Sequence, residues 1–226
     1  MKDMKYSLRA LARLLSYPDA EWRGQAVAIV DAIESEGVLP AARMMELRSL
    51  VSTMLRSDPL EIESGYVETF DRGRATSLHL FEHVHGDSRD RGPAMIDLVQ
   101  TYEKAGLYLS PEELPDHLGA VLEFASTQPA ALAKAFLSEV AHILNAIFSA
   151  LLKRESPYAS VVAAVLELAG QKAQAVPFAA DEPLDEAWAE PEAFNGCSSR
   201  GQARPGQTQP IHIVRRDAAG QQQRVA

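Results

Sequence analysis

Cysteine and long apolar runs are both scarce in this sequence. One cysteine, Cys197, occurs among 226 residues, so no disulfide can form within the chain. This usage is typical of a reducing compartment, and a chain of this length can bury a core without cross-links. No stretch approaches the roughly 20 apolar residues of a membrane span, and the N-terminal region lacks the continuous apolar segment of a secretory signal. We therefore expect a cytoplasmic protein without stable membrane insertion.

Positive charge is also in deficit. The 22 Lys and Arg residues stand against 31 Asp and Glu residues, for a net charge of −9 and a pI near 5.2. Non-specific nucleic-acid binding depends on clustered basic residues that release phosphate counterions. The composition therefore argues against a nucleic-acid partner and favours basic partners.

The common catalytic signatures are missing. The sequence has no phosphate loop of the G-x-x-x-x-G-K-[ST] kind, no G-x-G-x-x-G, no C-x-x-C and no G-x-S-x-G elbow. We therefore predict a protein that is not an enzyme and holds no cofactor or metal of its own.

Strict alternation of apolar and polar residues is absent before residue 176, whereas apolar residues recur at helical spacing. The pattern predicts an all-α, single-domain helical bundle of about eight to ten helices over residues 1–176. Helix boundaries are indicated at Asp19, Gly37, Pro40 and Asp58. The longest apolar stripe, over residues 128–154 and including Leu132 and Leu152, predicts one central helix.

The composition changes after residue 176. Residues 177–194 form an acidic segment with Trp188 and Phe194 as candidate anchors, and they could dock on the helical body. Residues 195–226 are rich in Gly, Gln, Arg and Pro. Such a composition buries too little apolar area to offset the ordering entropy, so it predicts a disordered tail.

Residues 66–92 are unusually dense in charge, with four arginines and three histidines among acids and glycines. The arginines either fix the connection between two helices, which we favour, or contact a phosphate group. Within this segment His79, Glu82 and His83 form an H-x-x-E-H pattern. A zinc-dependent hydrolase is therefore an alternative function, although so short a pattern often occurs by chance.

A second polar cluster is Glu113-Leu114-Pro115-Asp116-His117. Proline and aspartate are common in the first turn of a helix, so the cluster predicts a helix start with an oriented imidazole. The alternative is a polarised pair of Asp116 and His117 in a groove.

The sequence resembles the NarJ type of molybdenum cofactor assembly chaperone for nitrate reductase, within the TorD/DmsD-like redox-enzyme chaperones. The resemblance rests on residues 70–78, 81–92 and 113–118. Residues 14–19, 154–158 and 184–188 show a weaker similarity to the family. His79 stands where this family has an apolar residue.

The resemblance implies a dedicated chaperone. Such a protein binds the N-terminal segment of the nitrate reductase catalytic (alpha) subunit, assists insertion of the molybdenum cofactor and prevents premature docking to the membrane subunit. The cofactor in transit is a further possible partner. An amphipathic client peptide would bind as a helix in a groove. A structural subunit retained in the mature complex is the remaining alternative.

Candidate site residues follow from these segments. The predicted peptide contacts are Tyr66, Phe70, Leu78, Phe81, His83, His85, Asp116, His117 and Leu118. The predicted polar network, or cofactor contact, comprises Arg72, Arg74, Glu82, Arg89, Asp90 and Arg91.

Overall fold

Ten α-helices, without a β-sheet, make up the part of the chain that our computed structural model describes, residues 2–84 and 89–177. The helices are α1 (Lys5–Leu14), α2 (Ala20–Glu36), α3 (Ala41–Arg56), α4 (Pro59–Phe70), α5 (Leu80–Val84), α6 (Arg91–Lys104), α7 (Leu118–Thr127), α8 (Ala130–Glu139), α9 (Ala141–Lys153) and α10 (Ala159–Leu168). A short 3₁₀ turn, Arg74–Thr76, lies between α4 and α5. The predicted all-α class and number of helices are confirmed.

The chain divides into two units, Met1–Asp181 and Glu182–Ala226. The second unit lies outside the described residues, and so do the disordered tail predicted for 195–226 and nearly all of the acidic segment predicted for 177–194. The boundary predicted at residue 176 stays a prediction.

The helix ends follow the local chemistry predicted for them. The Asp19 carboxylate accepts the backbone N–H of Trp22 at 2.7 Å, and the Asp58 carboxylate accepts that of Leu60 at 2.9 Å. These contacts satisfy N–H groups that have no partner within the helix. Gly37 ends α2 with a φ of 57°, a left-handed conformation that costs glycine little.

The central helix is α10, so the prediction that residues 128–154 form it is wrong. Six consecutive residues of α10, from Val161 to Leu166, are fully buried, as expected for a helix that is apolar on every face. It contacts α1, α3, α8 and α9.

Residues 128–154 also form two helices rather than one, because the chain bends by 65° between α8 and α9. No proline or glycine marks the bend at Val140, and the core buries Leu137 before it and Ile143 after it. The apolar period therefore continues through the break and cannot reveal it. Leu132 and Leu152, predicted on the buried face, are 59% and 45% exposed.

No single helix in the described ranges has the length and apolar composition to cross a membrane. The bent pair of α8 and α9 satisfies both criteria only when the two helices are taken together.

An aromatic cluster joins α4 to the start of α10. Tyr66 packs against Tyr17, Phe70 and Tyr158, with ring centroids 4.9 to 6.1 Å apart. The Tyr66 hydroxyl donates to the carbonyl oxygen of Leu15 at 2.8 Å. These contacts fix the C-terminal end of α4, from which the polar segment predicted to be functional begins.

Candidate functional site

Two segments far apart in sequence pair through their backbones at the site. His79 and His117 form an isolated antiparallel β-bridge. Leu80 N–H donates to the Asp116 carbonyl oxygen at 3.0 Å, and Leu118 N–H donates to the Leu78 carbonyl oxygen at 2.8 Å. The start of α5 is therefore held against the start of α7.

A buried carboxylate, Asp116, lies at the centre of this junction. It is completely inaccessible to solvent, and it accepts the backbone N–H of Phe81 at 3.1 Å. Its other neighbours are His79 Nδ1 at 3.3 Å and Arg91 Nη2 at 3.7 Å. A buried carboxylate requires such partners, because leaving the charge unpaired costs several kcal/mol.

Three titratable groups at the junction, Asp116, His79 and His117, have pKa values that differ from their ordinary values. Burial tends to raise the pKa of Asp116, but the hydrogen bond from His79, the Phe81 N–H and the positive charges of His79 and Arg91 outweigh it, so that pKa is lowered. The hydrogen bond to Asp116 raises the pKa of His79. Burial and the nearby His79 charge lower the pKa of His117. Protonated His79 is thus stabilised beside a neutral His117.

His117 caps α7, as the sequence predicted for an oriented imidazole. Its Nδ1 accepts the backbone N–H of Gly119 at 3.1 Å. The prediction for Asp116 is wrong, because its carboxylate points away from the first turn of α7 and contacts the start of α5. Nor do Asp116 and His117 form a polarised pair, since the imidazole beside Asp116 is that of His79. The buried Tyr102 hydroxyl donates to the Pro115 carbonyl oxygen at 2.8 Å and fixes the approach to this cap.

The turn after α4 depends on close packing at Gly73. A Cβ atom at this position would lie 2.7 Å from Arg154 Nη2 and closer still to the Thr76 hydroxyl. Thr76 is completely buried, and its hydroxyl bonds the carbonyl oxygens of Thr69 and Gly73. Any larger residue at Gly73 would therefore force the side chains of Thr76 and Arg154 to move.

One cavity, of about 450 Å³, opens beside this turn. We call it the arginine cavity, and it is lined by Phe70, Asp71, Arg72, Gly73, Arg74, Ser77, His79, Glu82 and Arg91. Its basic residues come from the turn after α4 and from the first residue of α6.

A second cavity, of about 500 Å³, is also lined by His79. We call it the glutamate cavity, and it is lined by Ala12, Arg13, Ser16, His79, Glu112, Glu113, Leu114, His117, Gly119, Ala120 and Glu123. Its lining includes small residues of α1 and α7 and three exposed carboxylates, and Leu114 is 46% exposed. His79 is the residue that the two cavities share.

The residues predicted to bind a peptide occupy several environments. His117 lines the glutamate cavity and Phe70 the arginine cavity. Phe81 and His83 are half-buried on α5. The core contains Tyr66, Leu78 and Leu118, which are at most 8% exposed. His85 lies outside the described residues.

Several residues of the predicted polar network make ion pairs. Arg91 lies 3.5 Å from Glu82 and 3.7 Å from Asp116, so it joins α6 to both paired segments. Arg72 contacts Glu68 one helical turn earlier in the sequence. Arg74 is exposed, and Arg89 and Asp90 are exposed just before α6.

The geometry does not support the zinc alternative. His79 precedes α5 and faces Asp116, whereas His83 Nε2 lies 2.9 Å from the Ser77 carbonyl oxygen. The two imidazoles therefore have different hydrogen-bond partners. Within the described ranges, no three His, Cys, Asp or Glu side chains are grouped so that they could hold a metal ion.

Sequence reasoning missed most of the glutamate cavity. Arg13 on α1 and Glu123 on α7 are 110 positions apart and carry no local motif. It also missed the partner of Asp116, because the pairing with His79 spans 37 residues.

Comparisons with known proteins identify the family. Residues 37–164 match the nitrate reductase delta subunit family. The nitrate reductase molybdenum cofactor assembly chaperone NarJ of Escherichia coli (strain K12) is 45% identical over 160 residues, which cover 70% of this chain and 67% of that protein. The "Probable nitrate reductase molybdenum cofactor assembly chaperone NarJ" of Bacillus subtilis (strain 168) is 30% identical over 73% of this chain and 88% of its own length.

A solved structure supports the fold. The "Crystal Structure Of A Putative Redox Enzyme Maturation Protein From Archaeoglobus Fulgidus" superposes with a TM-score of 0.53 at 20% identity, over 76% of this chain and 96% of that one. The resemblance predicted from residues 70–92 is confirmed. The chain belongs to the nitrate reductase delta subunit family and has the NarJ chaperones as its relatives.

Proposed function

We propose that this protein is a cytoplasmic chaperone for the catalytic subunit of a respiratory nitrate reductase. It binds the N-terminal segment of that subunit and assists insertion of the molybdenum cofactor before the enzyme docks to its membrane partner. The observation that carries the proposal is the 45% identity to a chaperone of this name across 70% of the chain. The chain itself alters no covalent bond of its client.

The glutamate cavity supports the binding step. Glu112, Glu113 and Glu123 supply three carboxylates against the single cation Arg13, apart from the two histidines. Arg13 is itself 3.5 Å from Glu21, so its charge is partly neutralised. An amphipathic helix with basic residues matches this charge, and charge complementarity sets orientation and association rate.

The shape of the cavity supports the same occupant. Ala12, Gly119 and Ala120 line it with little side-chain volume, which lets a helical backbone approach α1 and α7 closely. The exposed Leu114 offers an apolar contact beside the carboxylates. A peptide with one apolar and one basic face would satisfy both features.

The other predicted contacts then act at different depths. His117 contacts the peptide from the cavity wall. Asp116 is buried and fixes the position of His79 and of the start of α5. Tyr66, Leu78 and Leu118 support the surface as part of the core, because they are too buried to meet a peptide without rearrangement. Phe70 is equally buried and has the same supporting role, whereas the half-buried Phe81 and His83 extend the predicted surface beyond the cavity.

Calorimetric titration with a synthetic peptide of the client's N-terminus tests this proposal. We expect saturable binding that weakens with salt, because exposed charges are screened. The double variant Glu113→Gln, Glu123→Gln should bind about tenfold more weakly, since two charge contacts are lost.

The matched control is Glu103→Gln, Glu139→Gln, which removes two exposed carboxylates that line neither cavity. It should bind like the wild type. No binding at high protein concentration, or equal losses in both double variants, would contradict the proposal. Stable co-purification with the finished membrane enzyme would favour a retained structural subunit instead.

A further inference from the structure

We propose that the arginine cavity binds a phosphate-bearing small molecule, with Arg72, Arg74 and Arg91 as its anion contacts. The proposal goes beyond the chaperone function and does not depend on it, because it rests on the side chains of this cavity alone. It also gives a role to the many charged residues of 66–92, because a connection between two helices does not require so many.

Three arginines line this cavity. Arg72 and Arg74 lie on the turn after α4, and Arg91 begins α6. The packing of Gly73 against Thr76 and Arg154 fixes the turn that carries the first two. Arginine is the residue best suited to phosphate, because its planar fork donates two parallel hydrogen bonds.

The donors of these arginines are largely uncommitted. Arg74 is exposed and makes no ion pair with any described residue. Arg72 pairs with Glu68 at the surface, where both side chains are more than 60% exposed, and such pairs contribute little. Arg91 is 3.5 and 3.7 Å from its acids, farther than a good N–H···O hydrogen bond.

A structural arginine elsewhere in the chain looks different. Arg43 is 15% exposed and hydrogen-bonds both Glu46 and Glu167, so its fork is occupied within the fold. The arginines of the cavity instead leave donors available to a ligand. Asp71 and Glu82 also line the cavity, and they limit the net positive charge without occupying Arg74.

The size of the cavity favours an organic phosphate. A volume of about 450 Å³ lies within the range of small-molecule sites and exceeds the needs of a bare ion. Phe70 adds one apolar wall. His79, at the boundary with the glutamate cavity, adds a cation when it is protonated. The shared chemistry is therefore a phosphate or pyrophosphate group, either free or esterified.

The test is calorimetric titration of the full chain, without peptide, with sodium pyrophosphate and with adenosine diphosphate at one ionic strength. We expect one saturable site, and Arg74→Gln should weaken it about tenfold because a charge-assisted hydrogen bond is lost. Arg72→Gln should weaken it less. Tighter binding of the nucleotide would identify an esterified phosphate, and equal binding a free one.

The matched control is Arg56→Gln on α3, which removes an exposed arginine that has no ion pair among the described residues. It should leave the affinity unchanged. Both positions are exposed, so circular dichroism should show wild-type folding for each variant. The proposal is overturned if neither probe saturates at millimolar concentration, if sulfate displaces pyrophosphate at equal concentration, or if Arg56→Gln loses as much affinity as Arg74→Gln.

Discussion

The two cavities that share His79 have similar volumes but opposite charge. The arginine cavity carries three arginines against two carboxylates, and the glutamate cavity carries three carboxylates against one arginine. The same backbone pairing of residues 78–80 with 116–118 builds a wall of each. A single junction can therefore present a surface for a basic peptide and a surface for an anion without mixing them.

The difference between the cavities lies in what holds them. The arginine cavity depends on a tight turn, in which Gly73 and the buried Thr76 leave no spare space. The glutamate cavity depends on a capped helix and on the hydroxyl of Tyr102. Asp116 supports both cavities through His79, which lines each of them. A substitution at Asp116 should therefore disrupt ligand binding in both.

The largest effect is expected from Asp116→Ala. The substitution leaves Phe81 N–H without its acceptor and removes the charge that His79 and Arg91 face. Breaking a buried charge pair typically costs about 3 to 5 kcal/mol of unfolding free energy. Urea denaturation measures the loss. Binding of both peptide and pyrophosphate should weaken.

Asp71→Ala is the control, because Asp71 is exposed and lines the arginine cavity only. It should change the unfolding free energy by about 0.5 kcal/mol or less. Equal stability losses in the two variants would show that Asp116 is not the shared support.

A smaller effect is expected from two buried tyrosines. The Tyr102 hydroxyl donates to Pro115, whereas the Tyr158 hydroxyl has no partner among the described residues. Tyr102→Phe should cost about 1 kcal/mol, and Tyr158→Phe should be nearly neutral. Thermal and urea unfolding compare the two variants.

Tyr102→Phe should also weaken peptide binding without affecting pyrophosphate, because Pro115 belongs to the loop of the glutamate cavity. If Tyr102→Phe lowered the affinity for both ligands, the two cavities would not be structurally independent.

The mildest prediction concerns pH. The folded pKa of His79 is raised by Asp116, so its stabilising contribution is complete below the unfolded pKa of about 6.5 and is lost as pH rises through the folded pKa. His79→Gln should therefore cost more unfolding free energy at about pH 6 than at about pH 8. Denaturation at the two pH values gives the difference.

His117 should show the opposite sign. Burial lowers its folded pKa, so its contribution is present above about pH 6.5 and is lost as pH falls through the folded pKa. His117→Gln should cost more at the higher pH. Identical pH profiles for the two variants would contradict the assignment of a charged His79 beside a neutral His117.

The sequence predicted the helices far better than the site. Caps such as Asp19 and Asp58 act within three residues, so local chemistry was sufficient to place them. No proline, glycine or change in the apolar pattern indicates the bend at Val140 in the sequence. The pattern continues because the core buries residues on both sides of the bend. The site required tertiary contacts, such as those of His79 and Arg91 with Asp116, which no periodicity encodes.

The composition still gave part of the site. The density of arginine and histidine over residues 66–92 predicted a polar segment, and all nine residues that line the arginine cavity come from it. Neither this segment nor residues 113–118 revealed that Leu78 and Leu118 lie in the core, since an apolar residue beside polar ones can face either way.

The most direct test of two separate cavities is a crossed titration, in which the client peptide and pyrophosphate are each titrated into Arg74→Gln and into Glu113→Gln, Glu123→Gln. The account predicts that the arginine variant binds pyrophosphate about tenfold more weakly and the peptide as the wild type does, and that the glutamate variant shows the reverse. If each variant weakened both ligands equally, the two would share one site and the account would be wrong.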